Sequence, residues 1–311
     1  MAGTRILVVR LGAMGDILHA LPAVVSLRAS LPDVHITWAV HPKWRELLEG
    51  GGAADEVIFV DRRSYGGVRT AVGALRRAEF DFAIDFQGLV QSALVAKVAR
   101  CRDVFGFHRD VVRERPAALF YTQTLLSRAA HVVDRNLELA VAAGATQRVL
   151  ECPLPPGRPE GCLPEEPFVL AAPFAGWTSK QWPLEYYAEL AAKLPAPLVL
   201  NGAPSQENAL RAVPGAQVHI STVSGLIDAT RRAAAVIGVD SGPLHLAAAL
   251  GLPGVAIFGP TDPARNGPYS DAFRTLRAAH AVTSYKRGAE IDQSMRDISP
   301  GQVLAVIMDM L

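Results

Sequence analysis

The chain has 311 residues, half of them hydrophobic, which is enough to bury a substantial core and to build two domains of ordinary size. A formal charge of +1 gives no global field for a nucleic-acid partner, so any anion site has to be local. Three cysteines, Cys101, Cys152 and Cys162, are odd in number and not set at C-x2-C spacing, which argues against a disulfide framework or a zinc site and fits a reducing compartment. The opening MAGTRILVVRLGAMGD lacks the pattern of a cleavable signal, and later apolar runs break well before the ~20 residues needed to cross a bilayer. The expectation is a soluble or peripheral protein with no transmembrane segment.

In chain order, Arg5 to Val9 is a short β-branched run followed by the glycine loop Arg10 to Asp16, and helical periodicity then extends from Ile17 through Leu27. The spacing is not GxGxxG, and a carboxylate at Asp16 would repel a dinucleotide's pyrophosphate. Two readings stay open for Asp16: a carboxylate placed for chemistry, or a helix cap. His35 to Val40 is a second strand, with Pro42 near the start of the next helix, and Val57 to Val60 is a third. Arg62 and Arg63 follow at the carboxyl end of that strand, where open α/β sheets place ligands; a guanidinium fork there suits phosphate or carboxylate, and a solvated charged loop is the alternative.

Phe80 to Phe86 reads as a strand ending at Gln87-Gly88, ahead of a helix from Leu89 to Ala99. The segment from Val104 to Arg115 collects His108, Arg109, Arg113 and Arg115 around two phenylalanines, and His131 to Ala143 is a helix that Gly144 is placed to end. Residues 152–167, CPLPPGRPEGCLPEEP, are too rich in Pro and Gly for a helix or central strand and mark a linker.

The alternation then restarts. Strands are expected at Phe168 to Ala172, Pro197 to Leu200 and His219-Ile220, and helices at Leu184 to Lys193, around Glu207, and from Ser224 to Ala235 with Ser224 as cap. Val236 to Asp262 reads as strand, loop, helix, strand, loop. Its Ser241-Gly242-Pro243 turn opens a helix whose free N–H groups suit an anion, with Ser241 as cap and Pro243 in the first turn. The pattern weakens after Tyr269, and a final helix runs from Pro300 to Met310. Both halves therefore read as doubly wound α/β domains: 1–150, a linker at 151–167, a second domain at 168–296, and a terminal helix at 297–311. Two such domains would face a cleft.

Five motifs in register carry a resemblance. They are R-x-G-A-M-G-D-I-L-H-A-L-P at Arg10 to Pro22, D-F-Q-G-L at Asp85 to Leu89, K-Q-W-P at Lys180 to Pro183, D-S-G-P-L-H at Asp240 to His245, and G-P-T-D-P at Gly259 to Pro263. In this order, around a midpoint linker, they resemble glycosyltransferase family 9, the lipopolysaccharide heptosyltransferases, and the segment Arg113 to Tyr121 is similar to the heptosyltransferase I branch. The resemblance implies the GT-B fold of two Rossmann-like domains, and an inverting transfer of heptose from ADP-heptose to the anionic Kdo and lipid A acceptor at the membrane surface. It also implies a cytoplasmic enzyme, or one peripheral on the inner face of the inner membrane. By position it implies Asp16 as general base and Lys180 at the donor phosphates. Glu207, Asp240, Ser241, Gly242, His245 and Thr261 would line the donor site, and Gly15, Arg62, Arg63, Gln87 and Arg113 the acceptor site. The sequence departs from the family in placing Ala175-Gly176-Trp177 ahead of Thr178, Ser179 and Lys180.

The residue types fit such chemistry. A positioned base contributes typically ~10²- to 10⁴-fold, and a lysine beside a helix N-terminus stabilises a leaving diphosphate. No carboxylate cluster at metal-ligand spacing calls for a divalent ion, and no cofactor beyond the donor is implied. A nucleotide-sugar epimerase and a non-catalytic sugar-binding protein are the alternatives of other classes. A dinucleotide oxidoreductase ranks below them for want of GxGxxG. Trp182 is expected as a core anchor and Met14 as packing beneath the first loop.

Overall fold

The computed structural model describes residues 3–311. The chain divides into two compact units, Met1–Pro155 and Pro156–Leu311.

The first unit is built on strands β1 (Arg5–Val9), β2 (His35–Val40), β3 (Glu56–Phe59), β4 (Phe82–Asp85), β5 (Asp103–Phe107) and β6 (Gln123–Leu125), in the sheet order β3-β2-β1-β4-β5-β6. All five neighbouring pairs are parallel. Every residue of β1 after Arg5 is buried, as a strand covered on both faces requires. The covering helices are α1 (Met14–Leu18), α2 (Leu21–Ser30), α3 (Arg45–Leu48), α4 (Tyr65–Arg77), α5 (Val90–Val98) and α6 (Val132–Ala142). After β1 the chain moves toward β2, and after β4 it moves the other way toward β5. Val9 pairs with Asp85, so the loops leaving β1 and β4 part from adjacent points on one edge, the switch point at which such sheets bind ligands.

The second unit repeats this plan. Strands β7 (Val169–Ala172), β8 (Leu198–Gly202), β9 (Gln217–Ile220), β10 (Ala235–Val239), β11 (Gly254–Phe258) and β12 (Phe273–Arg277) are ordered β12-β11-β10-β7-β8-β9, again all parallel. Its helices are α7 (Leu184–Ala191), α8 (Glu207–Arg211), α9 (Val223–Arg232), α10 (Gly242–Ala249), α11 (Pro263–Asn266), α12 (Gln293–Arg296) and α13 (Pro300–Met308). The switch point lies between β7 and β10, so the loops carrying Lys180 and Ser241 leave adjacent strands. Trp182 is 1% exposed in this unit's core, stacks edge-on against Tyr187 with centroids 4.9 Å apart, and donates its indole N–H to the Ile298 carbonyl at 2.8 Å. Val303 and Ile307 of α13 join the same core.

Several elements differ from the sequence pattern. The helix expected from Ile17 to Leu27 is broken into α1 and α2, because Pro22 has no N–H to give an interior turn and sits at the start of a new helix. Gly15 and Asp16 consequently lie inside α1, while Met14 is 7% exposed and packs inward. Helix α4 was hidden by its three glycines; Ser64 caps it, accepting from the Gly67 N–H at 3.0 Å. Thr222, not Ser224, caps α9, which ends at Arg232 and leaves Ala235 to begin β10. Strands β6 and β12 lie at the outer ends of their sheets, where polar residues face solvent and the apolar signal fades. Among the described residues no helix is long and apolar enough to cross a membrane.

Candidate active-site loops

In the first unit the β1 loop is held from beneath. The Arg10 side chain, 5% exposed, donates through Nη1 to the Phe86 carbonyl, and its Nη2 lies 2.7 Å from Asp16 Oδ1. Asp16 Oδ2 accepts from the Ala13 N–H at 3.1 Å. The capping reading of Asp16 holds, since its carboxylate accepts from the N-cap N–H of α1, and the side chain is one-third exposed. Gly12, at φ +152°, permits the turn, and a Cβ there would meet the Trp44 indole at 2.7 Å.

The β4 loop is tied to the β1 loop by Gln87, whose Oε1 accepts from the Leu11 N–H at 2.7 Å. Asp85, fully buried, accepts from the N–H of Gln87 at 2.8 Å, Ser92 Oγ at 2.7 Å and the Tyr121 hydroxyl at 2.7 Å. Burial raises its carboxyl above the usual range, outweighing these donors. Gly88, at φ +70°, lies against Arg113, and the Glu114 N–H donates to its carbonyl at 3.0 Å. Arg62, Arg63 and Arg113 are all exposed on loops at this end of the sheet.

In the second unit Lys180 Nζ lies 2.9 Å from Asp240 Oδ2, and His245 Nε2 lies 3.5 Å from Asp240 Oδ1. Burial pushes Asp240 up, but the hydrogen bond from His245 and the charge of Lys180 more than offset it and hold the carboxyl at about 2. Lys180 Nζ also sits 4.9 Å from the Trp177 ring centre. Helix α10 begins at Gly242, and Ser241 stands at its N-cap position but makes no cap bond, contrary to the expected cap. Its Oγ is buried without a protein partner, as is that of Thr261, which is 1% exposed. Glu207 lies in the first turn of α8 and pairs with Arg211 at 2.6 Å.

The structure thus gathers Asp16, Gly15 and Gln87 at one switch point and Lys180, Asp240, Ser241, Gly242 and His245 at the other. Arg62 and Arg63 follow β3, two strands out from β1. Two residues carry no site role in the sequence reading: Arg10, whose signal is a charged residue directly after a buried strand, and Ser179, whose neighbour Lys180 drew the attention.

Two doubly wound units in one chain, each with loops at its switch point, are the architecture of the GT-B class of glycosyltransferases. The sequence profile of glycosyltransferase family 9 (heptosyltransferase) matches residues 68–293, and the chain belongs to that family. It is 30% identical over 294 residues to lipopolysaccharide heptosyltransferase 1 of Pseudomonas aeruginosa, covering 85% of this chain and 81% of that protein. It is 28% identical over 312 residues to lipopolysaccharide heptosyltransferase 1 of Escherichia coli, covering 88% and 93%. The solved structure of the E. coli heptosyltransferase WaaC with ADP superposes with a TM-score of 0.80 at 25% identity, covering 99% of this chain and 100% of that one.

Proposed function

We propose that the chain transfers heptose from ADP-heptose to the Kdo-bearing lipid A inner core of lipopolysaccharide, with inversion at the anomeric carbon. The acceptor hydroxyl attacks that carbon from the face opposite the diphosphate and gives its proton to the Asp16 carboxylate. The bond to the diphosphate breaks, its electron pair leaves on the phosphate oxygen, and ADP departs stabilised by Lys180 and the N–H groups opening α10. The observation that carries the reading is the Lys180, Asp240 and His245 cluster at the head of α10, with the buried Ser241 hydroxyl beside it lacking a protein partner. A buried hydroxyl of that kind implies a ligand or water to complete it.

Membership of family 9 and the heptosyltransferase 1 relatives support the sugar and acceptor assignments. WaaC was solved with ADP, which supports the nucleotide. The exposed Arg62, Arg63 and Arg113 suit the anionic acceptor, presented to a cytoplasmic enzyme at the inner face of the inner membrane. In this assignment the first unit binds acceptor and the second binds donor. Glu207 serves the donor ribose, and Thr261, Gly15 and Gln87 complete their loops.

Two variants test the roles separately. Asp16→Ala is expected to abolish transfer from ADP-heptose to Kdo-lipid A while binding ADP like the wild type, and Lys180→Ala to weaken ADP binding measured by calorimetry. Near-wild-type turnover in the first, or unchanged ADP affinity in the second, would sink the corresponding assignment.

A further inference from the structure

Between β5 and β6 the chain makes a long loop whose second half, residues 113–121, is tied at both ends to the turn that joins β4 to α5. At the near end the Glu114 N–H donates to the Gly88 carbonyl at 3.0 Å, and Glu114 Oε2 accepts from the Val90 N–H at 2.8 Å. At the far end, beyond the 3₁₀ turn Arg115–Phe120, the Tyr121 hydroxyl donates to Asp85 Oδ2 at 2.7 Å. Glu114 thus grips the β4 turn with main chain and side chain together.

Val90 is the first residue of α5, and its N–H is one that the helix cannot satisfy from within its own turns. The preceding Leu89 N–H goes to Ser92 Oγ at 3.0 Å, so the helix end is closed by Ser92 from inside and by Glu114 from outside. A carboxylate there also meets the positive end of the helix. Arg113 and Arg115 flank Glu114 in the chain and are exposed, and among the described residues neither forms an ion pair. A carboxylate between two arginines can neutralise either of them. Held on α5 instead, it leaves both guanidinium groups for an anion.

The same grip seats Arg113 against the turn. A Cβ built on Gly88, which stands at φ +70°, would lie 3.4 Å from the Arg113 nitrogen and 3.9 Å from its Cβ. Gly88 follows Gln87, whose Oε1 accepts from the Leu11 N–H at 2.7 Å in the β1 loop. A run of contacts from Glu114 through Gly88 and Gln87 to Leu11 therefore sets where Arg113 stands relative to the loop of Asp16.

We propose that Glu114 is a positioning residue for the acceptor: by capping α5 it holds Arg113 against the β4 turn, where the guanidinium meets an anionic group of the acceptor, and it touches no substrate itself. The proposal rests on the acceptor reading above, in which Arg113 binds that anion.

The test measures initial rates with Kdo-lipid A varied at saturating ADP-heptose, alongside ADP calorimetry and thermal unfolding. It compares wild type, Glu114→Ala, Glu114→Gln, Arg113→Ala and the double variant Arg113→Ala/Glu114→Ala. Loss of the cap in Glu114→Ala is expected to raise the acceptor KM about fivefold, with kcat and ADP affinity unchanged. Glu114→Gln, whose amide oxygen can still accept from the Val90 N–H, should keep the wild-type KM. In the Arg113→Ala background the second substitution should add nothing to the KM, because Glu114 acts through Arg113. An acceptor KM in Glu114→Ala at or below that of wild type, whatever the melting temperature, would overturn the proposal and leave Glu114 a structural cap or a damper of the arginines' charge. Equal losses in the Ala and Gln variants, or additive losses in the double variant, would overturn it as well. If Arg113→Ala itself leaves the acceptor KM unchanged, the acceptor role of Arg113 fails and takes the positioning role with it.

Discussion

Arg10 and Asp16 form an ion pair of 2.7 Å inside a single loop-helix turn, and the guanidinium is itself anchored to the carbonyl of Phe86 on the neighbouring loop. The pair fixes which way the carboxylate faces, since Oδ1 is held by Arg10 and Oδ2 by the Ala13 N–H. In the proposed role of Asp16 as base, a misplacement of an ångström can cost about 10²-fold in rate. Arg10→Ala is therefore expected to lower kcat by about that factor with little change in the KM for ADP-heptose, and Arg10→Lys to recover part of it. A purely structural role would instead lower the melting temperature and the active fraction while leaving the kcat of the folded enzyme intact.

Asp240 makes acid stability measurable at the loop leaving β10. Its folded carboxyl sits at about 2 against an ordinary value of 3.8, so the folded form holds the charged state more firmly than the unfolded chain does. Its contribution is complete above about pH 4 and is lost as pH falls toward 2, and it amounts to about 2 kcal/mol. Urea unfolding of wild type and Asp240→Asn should show a stability gap at pH 6 that narrows by roughly this amount at pH 2. A gap independent of pH would contradict it.

The Asp85 carboxylate receives the Tyr121 hydroxyl at 2.7 Å while fully buried, so deleting that donor leaves an acceptor short of partners in a dry interior. Tyr121→Phe keeps the ring packed over Gly106 and removes only the hydroxyl. The expected cost is about 1–3 kcal/mol in urea unfolding. A midpoint equal to wild type would show that the hydroxyl of Ser92 and the backbone donors suffice.

The strands of both sheets were legible because parallel strands buried on two faces read as apolar runs, and Arg5–Val9 and His35–Val40 match the pattern residue for residue. Strand β5, the edge strands β6 and β12 and the glycine-bearing α4 were not, since charge, exposure and glycine dilute the same signal. Of the site, the loops were legible from their punctuation. What holds them was not: the Gln87 bond to Leu11 spans 76 residues, and the Lys180 bond to Asp240 spans 60. Such partners are set by which strands lie side by side, and no local spacing encodes that. The absence of a side-chain cap bond at Ser241 follows the same logic, because propensity gives the residue type and the rotamer is decided by its surroundings.

The bond from the Trp182 indole to Ile298, together with Val303 and Ile307 in the same core, sets an order on synthesis. The first unit has all its strands and helices once Pro155 has been made, so it can fold while the rest of the chain is still being translated. The second cannot close its interior until α13 leaves the ribosome. Until then the apolar surface of β11 and α7 that α13 covers stays open to solvent, so loss of the last helix is expected to leave the second unit's core incomplete.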